Sequence, residues 1–155
     1  MTVITALGIE CTKSSIMWAV IRGTTADNAA LVECAKSEMP KNALRPLGLN
    51  WAYHEMIELE RRFNPDEVIV KRAELGQNMR QANLEHAELD GVVLAALYEV
   101  RVSVQAIPWA TLARRLSATN KASALAIVQS SAAGSAVPAV RHTAVAAALS
   151  IFGTS

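Results

Sequence analysis

Few side chains in this sequence combine reactive chemistry with a position at the end of an ordered segment. Glu10 closes one apolar run, Lys71 closes another, Glu74 follows three residues later, and His142 stands near the start of the last one. Carboxylates and imidazoles converging from the ends of separate elements can hold hard divalent cations or move protons, while a lysine among them adds a positive charge. Three more acids, Glu85, Glu88 and Asp90, crowd one stretch. Glu85 and Glu88 share a helix face opposite its apolar stripe, so the trio reads as solvated surface charge. His54 and His86 show no partner pattern. Cys11 and Cys34 fit neither a CxxC nor a Cys/His metal spacing and read as reduced, mostly buried thiols. Trp18, Trp51 and Trp109 are too widely spaced to define a base-stacking box, and core packing or interface anchoring accounts for them.

The elements that must position these groups can be read from periodicity. Residues 3–9 and 15–21 are apolar with β-branched members and are separated by the polar turn from Glu10 to Ser14, which predicts a hairpin. A third strand is expected over 29–35 after the turn-prone residues 23–28. Asn50 is a candidate cap for a helix over 51–63, in which Ala52, Met56, Leu59 and Phe63 recur at helical steps. Asn64-Pro65-Asp66 stops it and leads into a short buried strand over 67–70. A long helix is expected over 77–98, with Met79, Ala82, His86, Leu89, Val93 and Ala96 on one stripe. Residues 101–107 form a fifth strand. Pro108 can open a helix through Leu116, Asn120 can cap another from Lys121 to about Ser131, residues 130–138 read as a loop, and a final helix covers 140–152.

Three strands, a helix, a strand, a long helix, a strand and further helices imply a mixed sheet: three antiparallel strands, then two parallel ones, flanked by helices. At 155 residues the chain is expected to form one α/β domain over 1–155. Fifteen Lys and Arg against 14 Asp and Glu leave a net charge of +1, so any nucleic-acid contact must come from a local patch rather than a global field. No apolar run reaches the ~18 residues of a membrane span, and the N-terminus lacks a signal peptide's charged start and cleavage site. A cytoplasmic, soluble protein is the expectation.

Four stretches resemble the RuvC type of Holliday-junction resolvase, a family of RNase H-like nucleases. Gly8-Ile9-Glu10 stands where the family has Gly-Ile-Asp at the end of its first strand. Pro65-Asp66-Glu67-Val68-Ile69-Val70-Lys71 is similar to its Pro-Asp turn and fourth strand, which ends in a catalytic Glu. Asn78 through Gly91-Val92-Val93-Leu94-Ala95-Ala96 resembles the helix that follows, and Lys121 to Val128 a later helix opened by Lys. His142-Thr143-Ala144-Val145-Ala146 is similar to the closing motif, which is His-x-x-Asp-Ala in some members.

The resemblance implies a nuclease that uses magnesium or manganese ions held by four side chains. Here Glu10 keeps a carboxylate at the first position and His142 matches the variant third, but Lys71 and Val145 replace the second and fourth acids. The expected catalytic set is therefore Glu10, Lys71 and His142, with Glu10, His142 and Glu74 as candidate metal ligands. Metal binding is doubtful, because at ~4 Å and an effective dielectric of about 20 each pair of unit charges is worth on the order of 4 kcal/mol, and Lys71 would repel a dication. Lys71 paired with Glu10 would instead fill the vacated metal position. Lys13, Arg72, Arg80, Arg114, Arg115 and Lys121 are the candidate nucleic-acid contacts, although dispersed solvated charge explains them as well. Two functions follow. The first is binding of branched or structured DNA with nuclease activity weakened or lost. The second is a catalytically inactive interaction module, homodimeric through the 77–98 helix, where Gly91 and alanines permit close approach.

Overall fold

The computed structural model describes residues 1–74 and 80–153. Its strands β1 (Ile4–Cys11), β2 (Ser15–Gly23), β3 (Ala30–Glu38), β4 (Glu67–Lys71) and β5 (Ser103–Ile107) form a five-stranded sheet in the order β3-β2-β1-β4-β5. The first three strands pair antiparallel, whereas β4 lies parallel to both β1 and β5. This is the mixed sheet that the element order predicts. The helices are α1 (Arg45–Phe63), α2 (Gln81–Glu99), α3 (Trp109–Arg115), α4 (Lys121–Ser130), α5 (Ala132–Ser135) and α6 (His142–Leu149).

Strand alternation sorts the apolar residues into a core on each side of the sheet. Leu7, Ile9 and Cys11 of β1 pack with Val68 and Val70 of β4 against Met56 of α1 and Leu89 and Val93 of α2. Ala6 and Ile69 face the other way, toward Leu112, Ala124, Val128 and the alanines of α6. Gly8 lies under α6, and a Cβ added there would run into the Ala144 carbonyl oxygen and the Ala148 amide nitrogen. Only glycine lets this helix lie so close to the central strand.

The turn before β4 sets its register. Asn64, at φ 45°, ends α1 in the left-handed region. Asp66 then donates its N–H to the Thr5 carbonyl at 2.8 Å, while its Oδ2 accepts the Thr5 N–H at 2.8 Å. This double link fixes β4 against β1 so that Glu10 comes opposite Lys71.

Several boundaries differ from expectation. α1 starts at Arg45, so Asn50 lies inside it instead of capping it, and Pro in the first turn supplies the start. Arg45 then anchors α1 to α2, through Glu88 Oε1 at 2.5 Å and the Glu85 carbonyl at 2.7 Å. Tertiary contacts thus extend the helix beyond its apolar periodicity. Residues 77–79 of the expected second helix, Asn78 and Met79 among them, fall outside the described residues. The expected 130–138 loop contains the short α5, whose first turn is capped by Ser131 Oγ accepting the Gly134 N–H at 2.9 Å. The closing segment is split into a 3-10 turn (Ala139–Arg141) and α6. Among the described residues no helix is long and apolar enough to cross a membrane.

Candidate active site and nucleic-acid interface

β1 and β4 end side by side, and period-two alternation turns Glu10 and Lys71 to the face that carries α6. Glu10 is half-buried, and burial raises its pKa even though Lys71, His86 and Lys121 pull the other way; the Asp90 charge adds to the rise. Lys71 is buried, at 5% exposure. Its ammonium does not pair with Glu10 as the sequence leads one to expect. It reaches past the strand end to Glu74 Oε2 at 3.0 Å and to the Arg72 carbonyl at 2.7 Å. The loop leaving β4 brings an acid and a carbonyl within reach, and a buried ammonium needs both.

Glu74 has a second role. Its Oε1 accepts the backbone N–H of Trp109, the first residue of α3, at 3.0 Å, satisfying an amide that no residue within the helix can reach. Burial works to raise the Glu74 pKa, but the Lys71 hydrogen bond and charge, the Trp109 N–H and the charge of Lys121 outweigh it, so the carboxyl lies below its usual value. Two cations lie over the Trp109 ring: Lys71 Nζ is 5.8 Å from its centroid and Lys121 Nζ is 5.3 Å away. Lys121 is exposed and opens α4, where Asn120 and Ser123 form a capping box that fixes its position. The strand ends therefore meet the starts of α3 and α4, giving Glu10, Lys71, Glu74, Trp109 and Lys121 in one cluster.

His142 does not join it. Its ring is buried, with Nε2 2.9 Å from the Gly134 carbonyl and 3.1 Å from the Val137 carbonyl. A ring nitrogen facing two carbonyl oxygens carries the proton, so Nε2 has no lone pair for a metal. The imidazole holds α5 and the segment after it to α6.

The remaining candidates separate. Lys13, exposed in the β1–β2 turn, lines a groove with Lys36, Lys41 and Glu38, beside the end of β1. Glu38 is paired with Lys36 at 3.0 Å. Arg72 and Arg80 are exposed on either side of the segment leaving β4, and the Arg72 backbone N–H pairs with the Ile107 carbonyl. Arg115 is bonded to Gln105 and lines a pocket with Asp27 and Gly153, at the end of the sheet opposite Glu10; Arg114 adjoins it in the last turn of α3.

A second polar cluster lies behind β1, and the sequence reading missed it. Asp90, expected on the solvated surface, is buried at 6% exposure. Its Oδ2 accepts the Ala73 N–H at 2.7 Å, and its Oδ1 lies 3.5 Å from His86 Nε2. Burial, together with the charge and hydrogen bond of Asp90, pushes the Cys11 thiol well up, which leaves it a poor nucleophile. The four-residue spacing of His86 and Asp90, on the side of α2 that also buries Leu89 and Val93, was the available signal. Trp109, read as a core or interface anchor, is buried and also has both lysine ammonium groups within 6 Å of its ring centroid. Lys36 and Lys41 had no sequence signal beyond charge.

These residues do not fit a pair of divalent cations. The position where a second acid would stand holds a buried ammonium, Val145 is fully buried among the α6 alanines, and His142 Nε2 is committed to backbone carbonyls. Among the described residues no group of three His, Cys, Asp or Glu is arranged to hold a metal.

No protein-family model matches the chain, and no curated protein matches it significantly. Solved structures do resemble it. Thermus thermophilus RuvC superposes with a TM-score of 0.77 at 20% identity, covering 96% of this chain and 92% of that one. T. thermophilus RuvC in complex with a Holliday junction substrate gives a TM-score of 0.76 at 19% identity over the same shares, 96% and 92%. The yeast mitochondrial Holliday junction resolvase Ydc2 gives 0.58 at 11% identity over 79% of this chain and 60% of that one. With the strand order and the crossovers established independently, the chain has the RNase H-like fold of the RuvC Holliday-junction resolvases.

Proposed function

We propose that this chain, as one domain, is a RuvC-like protein that binds branched DNA, with metal-dependent cleavage weakened or lost. The observation that carries the reading is the cluster at the strand ends, where the fold's central face presents Lys71 and Lys121 over Trp109 beside two carboxylates. Lys13, Lys36, Lys41, Arg72 and Arg80 supply exposed charge nearby, so backbone phosphates can be held at the end of the sheet although the net charge is only +1. Arg114 and Arg115, at the other end, serve stability or a separate contact.

The test is binding of an immobile four-way junction and of linear duplex at several salt concentrations, followed by incubation with magnesium or manganese. Preference for the junction, steep salt dependence and cleavage that is slow or absent support the proposal. Equal, salt-insensitive binding of all DNAs, or none, refutes it. Rapid cleavage abolished by Glu10→Gln would refute the loss of catalysis.

One observation favours a homodimer as part of the same reading. Leu84, Ala87, Gly91, Ala95 and Tyr98 form an exposed apolar stripe along α2, with Tyr98 at 79% exposure, and a Cβ on Gly91 would meet nothing within 4 Å. A second copy laid on this stripe would bury it. Sedimentation of the wild type and of Tyr98→Glu checks this: the variant should be monomeric at concentrations where the wild type is dimeric.

A further inference from the structure

We infer that the strand-end cluster is a metal-independent site for a nucleic-acid phosphate, in which the Lys71 and Lys121 ammonium groups supply the positive charge that two divalent cations would otherwise provide. This rests on the branched-DNA reading and specifies how that site works. Charge matching is the first argument. A cluster of acids without metals repels a phosphate, but here Glu10 and Glu74 face Lys71 and Lys121, and Arg72 and Lys13 lie just outside. Glu10 and Glu74 are balanced by Lys71 and Lys121, and the negative charge of Asp90 behind β1 is outweighed by Arg72 and Lys13, so a phosphate can approach without an imported ion.

Donor geometry is the second. An ammonium has three N–H donors; those of Lys71 reach Glu74 Oε2 and the Arg72 carbonyl, which leaves one N–H without a partner among the described residues. Lys121 is exposed, lies over the same indole ring, and brings a complete set of donors to the open side. The third argument is rigidity. Lys71 is fixed by strand pairing and by two polar partners and Glu74 by the Trp109 amide, while a capped helix start sets the backbone that carries Lys121. An ammonium held as that of Lys71 is needs little reordering when a phosphate arrives.

Fluorescence anisotropy on a labelled four-way junction tests the inference, with EDTA or magnesium at fixed ionic strength and inorganic phosphate as a competitor. The wild type should bind equally in both buffers, and phosphate should compete only at far higher concentration than unlabelled junction. Lys121→Ala, an exposed change that leaves the core intact, should weaken binding in EDTA by about tenfold, the equivalent of about 1.4 kcal/mol. Lys71→Met should weaken it at least as much. Lys71→Glu should lose metal-free binding and acquire a manganese site, read without DNA by electron paramagnetic resonance titration, whereas the wild type should bind no manganese. Stoichiometric manganese binding by the wild type, junction binding that requires magnesium, or Lys121→Ala indistinguishable from wild type in EDTA would each overturn the inference while leaving DNA binding standing. Failure of the wild type to bind the junction in either buffer would remove the functional reading itself, and the inference with it.

Discussion

Gly8→Ala is expected to be strongly destabilising, because the added methyl meets the backbone of a buried helix. The added Cβ would lie nearer to the Ala144 carbonyl oxygen and the Ala148 amide nitrogen than the 3.0 Å that real Cβ atoms keep, and its third neighbour, Ala148 Cβ, is at 3.0 Å. Both overlapping atoms belong to the backbone, so no side-chain rotation relieves the clash and α6 must move as a unit. Ala144, Val145, Ala146, Ala147, Ala148 and Leu149 are all buried in that helix, and a gap of about 0.5–1 Å forfeits roughly a quarter to a half of each dispersion contact. Overpacking typically costs about 1–3 kcal/mol, and a backbone-limited case belongs at or above the upper end. For a chain of this size about 3 kcal/mol lowers Tm by roughly 6–12 °C. Gly91→Ala is the control. Gly91 sits inside α2 with open space around it, so alanine should stabilise the monomer by about 0.5–1 kcal/mol. Urea unfolding followed by circular dichroism, at two protein concentrations, measures both variants. Gly8→Ala within about 0.5 kcal/mol of wild type would refute the seating of α6 on β1, because surface-like substitutions fall in that range.

Other outcomes follow from the site. Glu10 has a raised folded-state pKa, so its carboxylate costs stability as pH rises through the interval above its usual 4.5; Glu10→Gln should be more stable than wild type at neutral pH and converge with it below that value. Glu74 is the opposite case: its lowered pKa contributes stability that is present above 4.5 and lost as pH falls through the folded-state value, so Glu74→Gln should be the less stable protein at neutral pH and match wild type in strong acid. Chemical denaturation across pH reads both signs. Asp90→Ala removes the acceptor for the part-buried Ala73 N–H and should cost about 1–3 kcal/mol in the same assay. Removing Lys13 or Lys41 by substitution with alanine should weaken junction and duplex binding alike and reduce the salt slope by about one each.

Much of this protein is legible in its sequence. Strand alternation and the Pro-Asp turn are local signals, which is why the expected strands and the mixed sheet could be written before any coordinates, while the adjacency of Glu10 and Lys71 was implied by the resemblance to RuvC-type resolvases. Asn120 is likewise readable as a cap, since a cap bonds within its own turn. What the sequence left open depends on residues far apart in the chain. The choice of Glu74 over Glu10 by the Lys71 ammonium depends on the path of the loop after β4, and that loop is tied to α3 through the Trp109 amide. Asp90 looked solvated because its neighbours Glu85 and Glu88 are polar; only the packing of α2 against Cys11 and Ala73 buried it. His142 carried the pattern of a ligand, yet the fold of 132–138 supplied two carbonyls that claimed its Nε2. Side-chain type and local period fix which elements form and which face each residue takes, whereas partners for buried charges are decided by long-range packing, because an ammonium, a carboxylate or an imidazole bonds to whichever group the folded backbone delivers within about 3 Å.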